Sequence, residues 1–335
     1  MDPTPRPRRA IRTGLALAAA LTAAALVLWW LAPGVLPGGG ERPSGKVVFS
    51  TGAPKGVYAR YGDMLRDDLA ADLPELRVDL QPSEGSLDNM ERIATGRADF
   101  AIATADAVAE YRSGHRPGWQ RLRAVARLYD DYIQLVVPAR SGIRSAQDLA
   151  GRTVGVGTDK SGVQLIAKRL LAAAGLDMAE DVQAVRQPIG TMTDLLRRGE
   201  IEAFFWSGGL PTAAVGALAD RTEIRLVPLN NLLGPLHKQS PSAHYYRSAV
   251  MPADAYPELR DEQAVSTIAV ANLLVTTERT DPVLTEAITR EVIKSRDTIA
   301  KEVHAAQLVD LRTAVFTDPL ALHEGAERYY RDEKP

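Results

Sequence analysis

Two short loops carry the residues of this chain best placed to do chemistry. The first is Ser50-Thr51-Gly52-Ala53-Pro54-Lys55-Gly56 and the second is Gly157-Thr158-Asp159-Lys160-Ser161-Gly162. Each gathers hydroxyls, glycine and a lysine between a β-branched run and an amphipathic stretch. A helix that opens after such a loop presents first-turn N–H groups with no backbone partner, and its dipole favours negative charge there. The chemistry on offer is capture of a carboxylate or another anion, although a plain tight turn accounts for the second loop nearly as well. Nucleotide readings fail on spacing. Gly157 to Gly162 matches the start of a P-loop, but Val163-Gln164 stand where lysine and a hydroxyl residue are required. Gly155-Val156-Gly157 lacks the third glycine of the dinucleotide fingerprint.

Other candidates follow strand-like runs. Lys55 sits beside a helix N-terminus and is either an electrostatic ligand group or a solvated loop lysine. Ser83 and Ser86 follow the second strand and can cap the next helix, while Asn89 can reach back toward a cleft. In Phe204-Phe205-Trp206-Ser207-Gly208, Phe204 reads as core, and Phe205 and Trp206 point to opposite faces, so at most one of them lines a pocket. No catalytic constellation accompanies these residues. G-x-S-x-G is absent, and His115, His237, His244, His304 and His323 never fall at metal-ligand spacing. With no cysteine there are no disulfides, thiolate metal sites, thiol nucleophiles or lipid attachment through cysteine. The expectation is binding without chemistry, metal or cofactor.

The elements that must position these loops alternate. Strands are expected at 46–50, 76–81, 99–103, 123–127, 132–138, 153–157, 202–206, 224–228 and 266–276. Helices are expected at 57–71, 87–95, 162–174, 192–198 and 211–219, then at 281–303 and 319–330. Such alternation predicts an α/β fold with largely parallel sheets. The 335 residues, 45% hydrophobic and 24% charged, suit a folded globular chain of one large or two ordinary domains. A net charge of -2 gives no general reason to bind nucleic acid. The runs 132–137 and 268–275 bracket a complete α/β unit, which suggests two crossings between lobes of a hinged molecule. One continuous doubly wound sheet remains the alternative. The expected boundaries are 46–135 with 268–335 for one lobe and 136–267 for the other.

At the N-terminus, Arg6, Arg8, Arg9 and Arg12 precede an apolar run ending at Trp29-Trp30. A basic flank, a span-length apolar stretch and interfacial tryptophans predict a basic cytoplasmic segment at 1–13, an uncleaved transmembrane signal-anchor at 14–33 and a linker at 34–45. The rest of the chain is then extracytoplasmic, tied to the cell membrane by a single pass.

The ordered motifs resemble a known family. They are the first loop with Tyr58, Ser86-Leu87-Asp88-Asn89-Met90, Gly96-Arg97-Ala98-Asp99-Phe100-Ala101-Ile102, Leu128-Tyr129, and Ser141-Gly142-Ile143-Arg144-Ser145 leading to Asp148-Leu149-Ala150-Gly151-Arg152. The second loop, Phe204-Phe205 with Gly208 and Pro211, and Gly325-Ala326-Glu327-Arg328-Tyr329-Tyr330 complete the set. Together they resemble the TAXI family, the solute-binding proteins of TRAP transporters, over nearly all of 46–331. The resemblance implies a two-lobed periplasmic-binding-protein fold (type II) closing on a small carboxylate-bearing solute, an amino acid or dicarboxylate, and hand-over to TRAP permease subunits. It assigns to the cleft Thr51, Gly52, Gly56 and Tyr58, then Ser83, Ser86 and Asn89, then Thr104 and Asp106. From the facing lobe it adds Thr158, Ser161 and Gly162, with Phe205, Ser207 and Gly208.

The chain departs from the family at Ala53-Pro54-Lys55, where members carry more glycine. Proline removes an amide donor and lysine adds a charge. Two other functions compete: a membrane-tethered sensor passing its bound state to a signalling partner, and an enzyme on the same fold. The cytoplasmic segment is too short for an output domain, and export separates the chain from nucleotide cosubstrates.

Overall fold

Short β-branched and aromatic runs, each bounded by turn residues, hydrogen-bond into one mixed sheet. The computed structural model describes residues 42–333, apart from 55, 260–262, 302, 304, 305 and 308. Its strands are β1 (Gly45–Ser50), β2 (Leu76–Gln81), β3 (Phe100–Thr104), β4 (Leu122–Pro138) and β5 (Thr153–Gly155). There follow β6 (Gln183–Val185), β7 (Ala203–Gly208), β8 (Ile224–Val227), β9 (Tyr246–Met251) and β10 (Val265–Thr277). The main path runs β2-β1-β3-β10-β4-β7-β5-β6, with β8 on β4 and β9 on β10.

The centre of that path is antiparallel and its flanks are parallel. On one flank, β1 pairs parallel with β2 and β3; on the other, β5 pairs parallel with β6 and β7. Between these wings, β4 and β10 run antiparallel to each other and change partners midway. β10 pairs with β9 through Val265–Val270 and with β3 through Asn272–Val275. β4 pairs with β10 from Leu122 to Tyr132 and with β7 from Tyr132 to Val136. A register shift between Ala271 and Leu273 marks the change. The two runs expected at 123–127 and 132–138 are therefore one strand. Hydrogen bonding is continuous, as in the single-sheet alternative, but the antiparallel centre differs from a doubly wound parallel sheet.

Helices connect the parallel strands because such strands need a crossover. In the β1 wing these are α1 (Val57–Asp72), α2 (Ser86–Ala94) and α3 (Ala105–Ser113). In the β5 wing they are α4 (Gly162–Ala173), α5 (Ile189–Arg198) and, after β7, α6 (Ala213–Ala219). A short α7 (Leu233–His237) precedes β9, and α8 (Pro282–Lys294), α9 (Arg296–Ile299) and α10 (Glu324–Asp332) close the chain. The helix expected across 281–303 is interrupted at Ser295, and the one expected from 319 begins only after His323, whose ring accepts the Gly325 N–H at 3.1 Å.

One apolar cluster packs α1, α8 and α10 on the β1 wing through Tyr61, Leu65, Ile288 and Tyr329. The larger cluster joins Met90 and Val108 to Ile166, Leu170 and Phe204, so on that face the two wings share a core. The described residues from Pro43 onward form one compact unit. The expected anchor at 14–33, with the segment before it and most of the linker, lies outside the described residues. Among the described residues no helix is long and apolar enough to cross a membrane.

Candidate functional site

The C-terminal ends of β1, β2, β3, β5 and β7 point toward one crevice, the place where open α/β sheets collect ligands. A cavity of about 60 Å³ sits there. From the β1 wing it is lined by Gly52, Gly56 and Tyr58 at the start of α1, by Ser86 at the start of α2, and by Thr104 before α3. Thr158, Ser161 and Gly162 face it from the turn before α4, and Ser207 and Gly208 from the end of β7. These residues named from sequence are thus brought together. Ser161 caps α4 by accepting the Gln164 N–H at 3.0 Å, and Gly162 and Val163 of that first turn reach the cavity wall.

Other expected residues do not line the cavity and have partners within the protein. Asn89 is buried and ties strand ends together: its amide donates to Thr51 O at 2.6 Å and Ile102 O at 2.8 Å, and its carbonyl accepts from Ser50 at 2.7 Å. Thr51 and Ser83 belong to the same knot, with Ser83 donating to Thr51 O at 3.1 Å. Asp106 is buried and accepts from Arg169 at 3.2 Å and from the Tyr246 hydroxyl. Phe205 is core; of the pair it forms with Trp206, only the tryptophan lines the cavity, holding its Nε1–H on Thr212 at 3.0 Å. Lys55 lies outside the described residues.

The floor holds a residue that sequence reasoning missed. Asp131 sits where β4 passes between the wings, 2% exposed, and lines the cavity. Asn272, at the irregularity in β10, donates to one Asp131 oxygen at 2.6 Å, and Ser207 donates to the other at 3.0 Å. Tyr58 in turn donates to the Asn272 carbonyl at 2.5 Å. Burial pushes the Asp131 carboxyl up to about 7; the hydrogen bonds from Asn272 and Ser207 oppose this and the charge of Asp106 adds to it. Burial, with the charge of Asp131, also raises the Tyr58 phenol well above its ordinary value. The available signal was the Asp130-Asp131 pair in the middle of a largely buried strand.

The two wings touch directly at the cavity rim. Lys160, with φ of 62°, offers its carbonyl to the Leu87 and Asp88 amides at 3.1 and 3.3 Å. Thr158 donates to Glu84 O at 3.2 Å, and the Lys160 ammonium pairs with Glu91 at 3.0 Å. Gly85 has φ of 126°, and a Cβ there would lie 3.2 Å from the Ser161 Cα, so the approach depends on glycine. The Leu87 and Asp88 amides in the first turn of α2 are therefore already partnered by protein. Anion-binding capacity shifts to the first turn of α4. Among the described residues no group of His, Asp and Glu is placed to hold a metal ion.

An antiparallel strand pair shared by two parallel wings, with a crevice at their strand ends, defines a periplasmic-binding-protein-like α/β fold. The chain belongs to the NMT1-like family, whose model matches residues 49–333. Among solved structures it is similar to a periplasmic transporter, at 14% identity over 87% of this chain and 93% of that one, with a TM-score of 0.52. A protein from Bordetella bronchiseptica RB50 matches at 18% identity over 87% and 90%, with a TM-score of 0.51. An ancestral arginine-binding protein bound to arginine matches at 14% identity over 77% and 98%, with a TM-score of 0.50. At these identities the likeness concerns the fold.

Proposed function

We propose that this chain is an extracytoplasmic solute-binding protein of the TAXI type, receiving a small carboxylate-bearing solute and delivering it to the membrane subunits of a TRAP transporter. The observation that carries the reading is the crevice itself. Turns rich in amides and hydroxyls from both wings face one small cavity, and a compact solute there is enclosed by Tyr58, Ser86, Thr104, Ser161 and Ser207. In this reading 46–135 with 268–335 form one lobe, 136–267 form the other, and β4 and β10 are the crossings about which they move. The N-terminal segment holds the receptor at the outer face of the cell membrane. The solute is bound and released unchanged.

The test is a thermal-shift series on the full-length chain with amino acids and organic acids. A ligand present at ~100 times its Kd stabilises the bound state by about 2.7 kcal/mol, which is readily measured. A complete panel without any shift removes the receptor reading. Lys55→Ala should lower affinity for an anionic solute by roughly 3- to 10-fold at low salt, less at high salt, where exposed charges are screened. Equal affinity at all salt concentrations places that lysine at the solvated surface.

A further inference from the structure

We infer that Asp131 recognises a protonated amine, so that the solute held in this cavity is a compact amino acid and not a dicarboxylate. This rests on the receptor reading above and narrows its substrate class.

Three acidic residues lie close together in the middle of the molecule, and their partners differ. Asp130 is paired with Arg127 at 2.8 Å and with Arg247. Asp106 is paired with Arg169 at 3.2 Å. Asp131 is as buried as either, yet its hydrogen-bond partners are the neutral Asn272 and Ser207, and no ion pair to it exists among the described residues. Each carboxylate oxygen has room for two donors, so one donor per oxygen leaves acceptor capacity unused. A buried carboxylate without a counter-charge is costly, and a cation supplied by the ligand removes that cost when the site fills. Burial already holds the group near neutrality on the pH scale, at about 7, poised to ionise against an incoming ammonium.

The rest of the lining agrees. Its charged residues among those described are Asp131 and Glu84, both acidic. The lining also includes Gly162 and Val163 of the first turn of α4, with Thr158 and Ser161. A zwitterion therefore finds a complement for each end, its carboxylate toward the α4 N-terminus and its ammonium toward Asp131. A dicarboxylate would set like charges against each other at the floor.

The experiment compares matched pairs on the full-length protein by calorimetry: L-alanine with propionate, L-aspartate with succinate, L-glutamate with glutarate, L-leucine with 4-methylpentanoate. For whichever pair binds, the amine-bearing member should bind at least ~100-fold tighter, because a site built around a buried polar group rejects the analogue lacking its partner. Asp131→Asn should collapse that ratio toward one by weakening the amine-bearing member while leaving or improving the deaminated acid. If the deaminated acid binds the wild-type protein as well as its partner, the inference is overturned and the receptor reading stands. Equal weakening of both members by Asp131→Asn overturns it too, assigning the residue to the scaffold. If no member of any pair binds, both readings fall together.

Discussion

The wings meet at two polar contacts, and the two are built differently. At the cavity rim, Lys160 and Glu91 pair while 56% and 37% exposed, supported by backbone hydrogen bonds to the Lys160 carbonyl. Behind the cavity, Arg169 of α4 reaches Asp106 and Glu110 of α3, Ser242 and the Tyr246 hydroxyl, with Arg169 and Asp106 side chains 9% and 2% exposed. Water competes for every rim contact and for almost none of the buried ones. Exposed ion pairs contribute little, whereas removing one member of a buried pair strands the other. The rim contact is therefore the cheaper of the two to break, and the buried cluster the costlier.

Breaking the buried contact should have the largest effect. Arg169→Ala should destabilise the protein by about 3–5 kcal/mol in urea denaturation, since Asp106 is left buried and unpaired. A loss comparable to that of a surface pair would erase the distinction between the two contacts. Next comes Asp131, which faces Asn272, Ser207, Tyr58 and the charge of Asp106. Its folded-state pKa of about 7 lies above the unfolded value, so the folded protein binds the extra proton. Its contribution to stability is complete below pH ~4 and is lost as pH rises through about 7, a change on the order of 4 kcal/mol. Asp131→Asn should flatten the stability–pH curve across that window; an unchanged slope would show another group responsible.

At the rim, Gly85→Ala should cost roughly 1–3 kcal/mol, because φ of 126° suits glycine alone and the new Cβ meets the Ser161 backbone. A neutral result in a melting experiment would mean the rim gives way without resistance, sharpening the contrast. Smallest of all, Glu91→Gln should change stability by less than about 1 kcal/mol and only at low salt. A larger loss would make the rim a structural contact like the buried one.

What could be read in advance follows from how far each residue's partners lie along the chain. Gly52, Gly56, Ser86 and Ser161 were legible because a turn between a strand and a helix is a local event, and the strand end carries it to the crevice. Asn89 has the same composition signal, but its side chain is claimed by Ser50, Thr51 and Ile102, which the fold brings to it from 13 to 39 positions away. Asp106 meets Arg169 63 positions on. Asp131 depends on Asn272, 141 positions away, and nothing near either residue announces the other. Among the elements, β9 was missed because only its end residues Tyr246 and Met251 are buried and its middle does not alternate, and α3 because an alanine-rich stretch has no clear apolar stripe.

The pairing of β3 with β10 has a consequence for synthesis. Thr104 lies opposite Asn272, 168 positions later in the chain, so the neighbour that covers the open side of β3 emerges long after it. Until then Phe100–Thr104, apolar but for its last residue, is a bare sheet margin able to stick to other chains. Late closure of this kind slows assembly and rewards holding the nascent chain extended until its C-terminal third arrives.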